Sequence, residues 1–255
     1  MKATHSVVEG LRIPIYQNLT LQVSTSGNDS TGGLSNLFRQ PQAAIDWAVA
    51  NLDFHNVESL TINIGNGTFN QIAIDKVFNG LAKIKVTGSD INNSIISGGF
   101  RAEHSNRIEI STLTINAGSG QTALFSYDSH IAITNSITIN GTNASNGVQV
   151  HYFGTIYAAN CTVSLNGSYG NHFRITENGK FIMMRGTVSI NGSSSGIVMS
   201  CGTQSAITVG EGVINGSATG KRYEVTACSV ISTNGLLSNI PGSIAGTVDT
   251  SSFAN

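Results

Sequence analysis

The stretch VSINGS, residues 188–193, decides how this chain folds, because near copies of it recur along the sequence. LTINAG (113–118), ITINGT (137–142) and VSLNGS (163–168) precede it, and VINGSA (213–218) follows. Measured between their asparagines, Asn116, Asn140, Asn166, Asn191 and Asn215, the steps are 24, 26, 25 and 24 residues. Upstream, SLTINIG puts Asn63 in the same context, and AKIKVTG offers Thr87 another 24 residues on. Downstream, LLSNIPG places Asn239 24 residues after Asn215. The step from Thr87 to Asn116 is 29, which reads as an insertion in that repeat. A period near 25 kept over most of a chain marks a solenoid.

Local periodicity says which solenoid. Before each asparagine the letters alternate: Leu113 and Ile115, Ile137 and Ile139, Val163 and Leu165, Val188 and Ile190, with Thr114, Thr138, Ser164 and Ser189 between them. Period two with β-branched residues describes a half-buried strand. Helical repeats need three-to-four spacing and better helix formers than Thr, Ser, Asn and Gly. Two further sets of strand-like pieces recur, TALFSY, GVQVHYF, NHFRIT, GIVMS and RYEVTA in one, HIAITN, TIYAAN, KFIMM and AITVG in the other. Three short strands and three turns per repeat make one coil of a parallel β-helix, with coils stacked about 4.8 Å apart. The expected fold class is therefore all-β, a right-handed parallel β-helix of seven or eight coils. Asn-Gly turns the corner after the third strand, since Gly tolerates positive φ and Asn tolerates the left-handed region. Stacked corners let the Asn amides bond from coil to coil. Strict alternation points them outward, and an inward ladder needs the corner to rotate them. The NGS and NGT triplets also match glycosylation sequons, but at strand ends they read as turn chemistry.

Composition fits a packed, uncharged rod. Charged residues are 11% of 255 and the net charge is −1, which shows neither a nucleic-acid footprint nor a basic membrane patch. Hydrophobic content of 40% argues for a core rather than disorder. No 18-residue apolar run exists to span a membrane, and MKATHSVVEGLRIP lacks the apolar region of a signal peptide. Cys161, Cys201 and Cys228 show no CxxC spacing and read as small buried or corner residues. No cofactor or metal is expected.

Three segments follow from the pattern: 1–58 as an N-terminal strand, loop and capping helix, 59–235 as the coils, and 236–255 as the opposite cap or a subunit-contact segment. QPQAAIDWAVANL (40–52) sets Ala44, Ile45, Ala48, Val49 and Leu52 on one helical face, with Pro41 in the first turn. An open solenoid must hide its first and last coils, so this helix is expected over the N-terminal mouth.

LTLQVSTSGNDSTGG, FRQPQAAIDWAVANLD and SLTINIGNGTFNQ, taken in order, resemble the opening of phage tailspike and tail-fibre β-helices of the pectate-lyase-like superfamily. There a strand, a Gly-Asx-rich loop, an A-I-x-x-A helix and an I-x-I-x-x-G-x-[YF] strand begin the stack. KRYEVTACSVISTNG is similar to the ends of such proteins. The resemblance implies a homotrimer attached to the virion of a phage or prophage, in company with other tail proteins, touching bacterial surface polysaccharide. Those motifs mark entry to a fold, and fold alone does not fix function.

Counting back from the asparagines gives an outward face. The row Leu124, Val150, Ile175 and Met199 is expected inside. Phe125, His151, Thr176 and Ser200 are expected outside, as are Ala123, Gln149, Arg174 and Val198. The central coils then display Phe125, Tyr127, Gln149, His151, Tyr152, Phe153, Arg174 and Glu177 on one side. Aromatic faces cover sugar C–H patches while Arg, His, Gln and Glu bond hydroxyls or carboxylates, yet the same mixture suits a subunit interface.

Catalysis is weakly signalled. Glycoside hydrolysis usually needs two carboxyl groups about 5–5.5 Å or about 6.5–9.5 Å apart. Only Asp128 and Glu177 approach sharing a face, two coils apart and displaced by two positions along the strand. The Asn-Thr-Asp, Asp-Asp and Gly-His-Gly segments of polygalacturonase-like members are missing, and FRIT around Arg174 is only a faint echo of their Arg-Ile-Lys. No acidic cluster of the pectate-lyase kind is present either. Glu103, His104 and Glu109 read as a surface loop, and His130 and His172 as turn residues. The sequence therefore leaves three readings: a glycan-recognising tail module, a polysaccharide depolymerase with an intersubunit or Asp128/Glu177 site, and a purely structural virion spike.

Overall fold

Alternating β-branched residues build two large parallel sheets, and the computed structural model describes them through residues 12–105, 107–235 and 237–255. The chain is an all-β parallel solenoid of about eight turns. One sheet stacks ten strands, from Leu19–Val23 through Val57–Ile64, Leu81–Gly88 and onward to Phe253–Ala254. The other has thirteen strands and bends through a corner inside Ile137–His151 and Thr162–Ile175, so two expected strands run there as one. Every pairing is parallel, as successive turns of a coil require.

The core is a set of columns. In the ten-stranded sheet, Leu60, Ile84, Ile108, Ile131, Ile156, Phe181, Ile207 and Ile231 are successive register partners. All eight are fully buried. The thirteen-stranded sheet answers with Leu113, Ile137, Val163, Val188 and Ile214. Each such side chain contributes about 1.5–3 kcal/mol relative to exposure.

The asparagine ladder is present and faces outward, as alternation demands. Asn140 Nδ2 donates to Asn116 Oδ1 at 3.0 Å, Asn166 to Asn140 at 3.4 Å, and Asn191 to Asn166 at 3.1 Å. These asparagines are half-buried, beside fully buried Ile115, Ile139, Leu165 and Ile190. The ladder is shorter than the sequence period suggests. Asn215 pairs with Ser189, two residues out of step, and the ladder passes instead to Ser217, whose Oγ donates to Asn191 Oδ1 at 3.4 Å. Asn63 and Thr87 belong to the ten-stranded sheet, in a column with Gln22 and Ser111. The 29-residue step is thus one coil of 24 from Thr87 to Ser111, plus the five residues from Ser111 round to Asn116. Asn239 sits in a single 3-10 turn, Leu237–Asn239. Asn166→Ala is expected to cost about 1 kcal/mol in chemical denaturation, since it removes one donor and one acceptor of the ladder. Asn215→Ala is expected to stay within about 0.5 kcal/mol of the parent.

The helix spans Pro41–Asn51, with Pro41 at its start and Ala44, Ile45 and Ala48 buried. Leu52 leaves it to open the strand Leu52–Phe54. The helix packs against the strands Leu19–Val23, Leu52–Phe54, Val57–Ile64 and Ile72–Ile74. At the other end, where the sequence period fades, Thr247–Val248 and Phe253–Ala254 add a rung in register with Glu224–Val225 and Val230–Ile231. All three cysteines are free, Cys161 and Cys201 buried and Cys228 exposed at a corner.

Candidate functional site

Strands Phe100–Glu103, Thr122–Tyr127 and the ends of Ile137–His151 and Thr162–Ile175 form one outward face. Their pairing fixes two rows. The first runs Arg101, Phe125, Gln149, Arg174, Ser200 and Glu224. The second runs Glu103, Tyr127 and His151. The sequence reading placed His151 beside Phe125 and Val150 beside Leu124. In the structure Gln149 and Val148 take those places, a slip of two residues. Because alternation has period two, the slip left inside and outside unchanged for every one of these residues.

Two expected outward residues are buried instead, Ala123 and Val198. They share a column with Gly147 and His172, placed just past the corner where the strand pairing shifts register. At that bend two successive side chains point inward. His172 is consequently a core residue of Thr162–Ile175 rather than a turn residue. His130 does open a strand, His130–Ile133, and is half-buried.

After this face each coil turns on left-handed residues: His104, Asp128, Tyr152 with Phe153, Glu177 with Asn178, and Thr203 with Gln204. Bulky residues in that region carry about 1–2 kcal/mol of strain each. Backbone bonds hold the bend, with Phe153 N donating to Glu177 O at 3.1 Å and Gly154 N to His151 O at 2.9 Å. The turn throws Tyr152 and Phe153 into solvent, 49% and 64% exposed.

The aromatic side chains make a continuous ridge. Phe125 and Tyr127 stack at 6.4 Å, Tyr127 and Tyr152 at 5.2 Å with planes 8° apart, and Tyr152 meets Phe153 edge-on at 5.8 Å. Arg101 lies over the Phe125 ring at 4.6 Å while its Nε bonds Glu103. Arg174 is exposed on the same row, with no ion pair or hydrogen bond among the described residues. Beside Phe125 opens a cleft of about 420 Å³, lined by Gln71, Gly98, Arg101, Gly120, Gln121, Thr122, Phe125 and Gln149.

The carboxylates do not converge. Asp128 follows Tyr127 and Glu177 follows Thr176, so they stand at equivalent corner positions two rungs apart, with Tyr152 between them. Stacking puts their backbones about 10 Å apart. The two-position displacement expected from the sequence disappears with the register. Each acid has its own histidine: His104 Nδ1 lies 2.9 Å from Asp128 Oδ2, and His151 Nδ1 lies 3.5 Å from Glu177 Oε2. Burial holds His151 below the ordinary histidine value, with Glu177 pulling weakly the other way. Glu103 and Glu109 lie on different sheets, Glu109 paired with Lys83 at 3.2 Å, so they form no common site. No group of three His, Cys, Asp or Glu suited to a metal occurs among the described residues.

The cleft itself, and Gln71 and Gln121 in it, were not legible in the sequence, whereas Gln149 was. Gln71 and Gln121 come from loops, and only pairing across coils brings them beside Gln149.

No protein-family model matches the chain, and no curated protein matches it in sequence. Among solved structures it is similar to a pectin methylesterase from Aspergillus niger, with 11% identity over 92% of this chain and 89% of that one and a TM-score of 0.43.

Proposed function

We propose that this chain is the receptor-binding module of a phage or prophage tailspike or tail fibre, holding bacterial surface polysaccharide against the aromatic ridge. The observation that carries the reading is the run Phe125, Tyr127, Tyr152 and Phe153, in ring-to-ring contact over two neighbouring coils and flanked by Arg101 and Arg174. Clustered exposed aromatics mark contact surfaces. Phe125 and Tyr127 lie on one strand and Tyr152 and Phe153 on the turn of the next coil. The rings therefore run across the rod, with a single step of about 5 Å along its axis, and offer a continuous floor to sugar rings. In this reading the coil is right-handed, as nearly all parallel crossovers are. The Pro41–Asn51 helix closes one mouth, and three copies assemble on the virion.

A second reading is favoured by the exposure of Tyr152 and Phe153: the ridge joins copies of the chain. A depolymerase has less support, because Asp128 and Glu177 are separated by a tyrosine and each engages its own histidine. The deciding experiment is binding of the purified protein to an array of capsular and O-antigen polysaccharides. Wild type is expected to bind a narrow set, and Tyr152→Ala to weaken that binding about tenfold, the scale of an aromatic anchor. Loss of a trimer in native mass with glycan binding intact would give the ridge to the interface. Release of reducing ends would favour the depolymerase.

A further inference from the structure

The cleft beside Phe125 offers a chemistry more specific than an aromatic floor, because hydrogen-bond polarity on its walls is fixed from outside. Ile197 N–H can only donate, and it donates to Asn171 Oδ1 at 3.1 Å. Asn171 Nδ2 must then face Asn146, and it donates to Asn146 Oδ1 at 3.2 Å. Asn146 Nδ2 in turn donates to Gln149 Oε1 at 2.8 Å, an oxygen that also receives the Thr122 hydroxyl at 2.8 Å. The Gln149 oxygen is therefore saturated. Its Nε2 faces His151 Nε2 at 2.6 Å, which leaves that ring nitrogen as acceptor and puts the histidine proton on Nδ1, toward Thr176 and Glu177. Among the described residues, Gln149 keeps one amide N–H without a partner.

An independent anchor sets the opposite wall. Gly118 N–H donates to Gln121 Oε1 at 2.8 Å, which fixes that oxygen toward the turn and leaves the amide group as the free end. That Nε2 stands beside Gly98, 3.9 Å from where a Cβ on Gly98 would lie. Arg101 spends its Nε on Glu103 and retains its terminal guanidinium nitrogens. Gln149, Gln121 and Arg101 thus present donors to the cleft, while the Gln149 oxygen is filled by two bonds and the Gln121 oxygen is engaged by Gly118.

We propose that this cleft is a subsite for a carboxylate-bearing sugar, such as a uronic acid residue in an acidic surface polysaccharide. The proposal deepens the glycan-binding reading and rests on it. A carboxylate is acceptor-only, has room on two oxygens for several donors, and gains charge-assisted bonds from guanidinium and amide N–H groups. A neutral sugar hydroxyl can accept from the same donors, but its single uncharged oxygen gains less from a guanidinium and several amide N–H groups than the two oxygens of a carboxylate do. The adjoining pyranose ring then rests on Phe125 and Tyr127.

The test uses the intact, nitrogen-15-labelled protein and follows its side-chain amide signals during titration with sodium glucuronate, with glucose, and with sodium chloride at equal ionic strength. Glucuronate is expected to move the Gln121 and Gln149 amide signals saturably, and glucose and chloride to leave them in place. Gln121→Leu, at an exposed turn, is expected to weaken the glucuronate response at least fivefold while the remaining backbone spectrum stays unchanged. Equal shifts with glucose, or none with glucuronate, would overturn the subsite. A stronger response to N-acetylglucosamine than to glucuronate would also overturn it, by making an amide carbonyl the recognised group. The polysaccharide array is scored separately. Array binding without a glucuronate response sinks the subsite alone, whereas a glucuronate response without array binding sinks the receptor reading alone.

Discussion

Gly192→Ala is expected to leave little folded protein at 25 °C, with a loss of stability above about 4 kcal/mol, at the severe end of single substitutions. Two costs combine at this position. Gly192 has φ +105°, a region that L side chains rarely adopt. A Cβ built there would also lie 1.9 Å from the carbonyl oxygen of Gly167, the equivalent corner one coil below. That atom is backbone, held in a stacked coil, and cannot swing aside as the tip of a side chain would. Gly167 repeats the problem, at φ +106° and 2.1 Å from Gly141 O. Chemical denaturation followed by circular dichroism checks the prediction. A Gly192→Ala variant within about 1 kcal/mol of the parent would show that the corner can open, and that stacking at the glycines does not define the coil. Gly120→Ala is the matched control. It too has positive φ, +75°, but nothing lies within 4 Å of its Cβ position. Its cost should therefore be limited to backbone strain of about 1–2 kcal/mol.

The contrast explains what the repeated letters mean. Asn-Gly recurs because the asparagine continues a ladder outside and the glycine lets one coil lie on the next. Both requirements are local to the corner, and both were legible in the sequence. Strand character was legible for the same reason, since alternation is a property of five or six neighbouring residues. Phase was not. Both sheets share the same alternation and the same 24-residue step, so Asn63 and Thr87 look identical to the Asn116 column although they stand on the other sheet. The slip of two between Phe125 and its neighbour across the coil is equally invisible, because it changes no residue's side. Ala123, His172 and Val198 fail for a different reason. They follow a bend at which the strict pleat is suspended, and only the three-dimensional corner shows two adjacent side chains turning inward. The left-handed pair Tyr152 and Phe153 carries no turn signature of its own, so the aromatic ridge could be named from the sequence but its stacking could not. The cleft lay further out of reach, because its polarity depends on a chain of bonds linking Ile197 to His151 through three amides.

His172 supplies the second large effect, a loss of stability in mild acid. Its side chain is fully buried against Tyr169, with ring centroids 4.8 Å apart. Its Nε2 reaches Asn191 O at 3.4 Å, and its Nδ1 has no partner. Burial pushes its pKa down to about 4, the bond to Asn191 opposing this only in part. Between pH 6.5 and 4 the unfolded chain therefore binds a proton at this residue that the folded chain refuses, and stability rises with pH across that window. The stability contributed by the neutral ring is fully present above the ordinary histidine value and is lost as pH falls toward 4. A depression of this size corresponds to about 3 kcal/mol. The aspartates with lowered values act elsewhere. Asp249 is held down to about 2 by hydrogen bonds from Ser252 and the Ala227 N–H, so its contribution fades only in stronger acid. His130 and His151 are also depressed by burial and give a slope of the same sign below the ordinary histidine value, so wild type alone cannot assign the slope. The assignment comes from His172→Leu, which fills the same buried position without a titrating group and removes the orphaned Nδ1. Denaturant midpoints measured from pH 7.5 to 4 are expected to fall steeply for wild type and markedly less for the variant, the two curves diverging by about 3 kcal/mol at the acid end. Parallel curves would mean that His172 accepts its proton inside the fold, through a water or a rearranged Asn191 carbonyl, and that the column it shares with Ala123, Gly147 and Val198 is not dry.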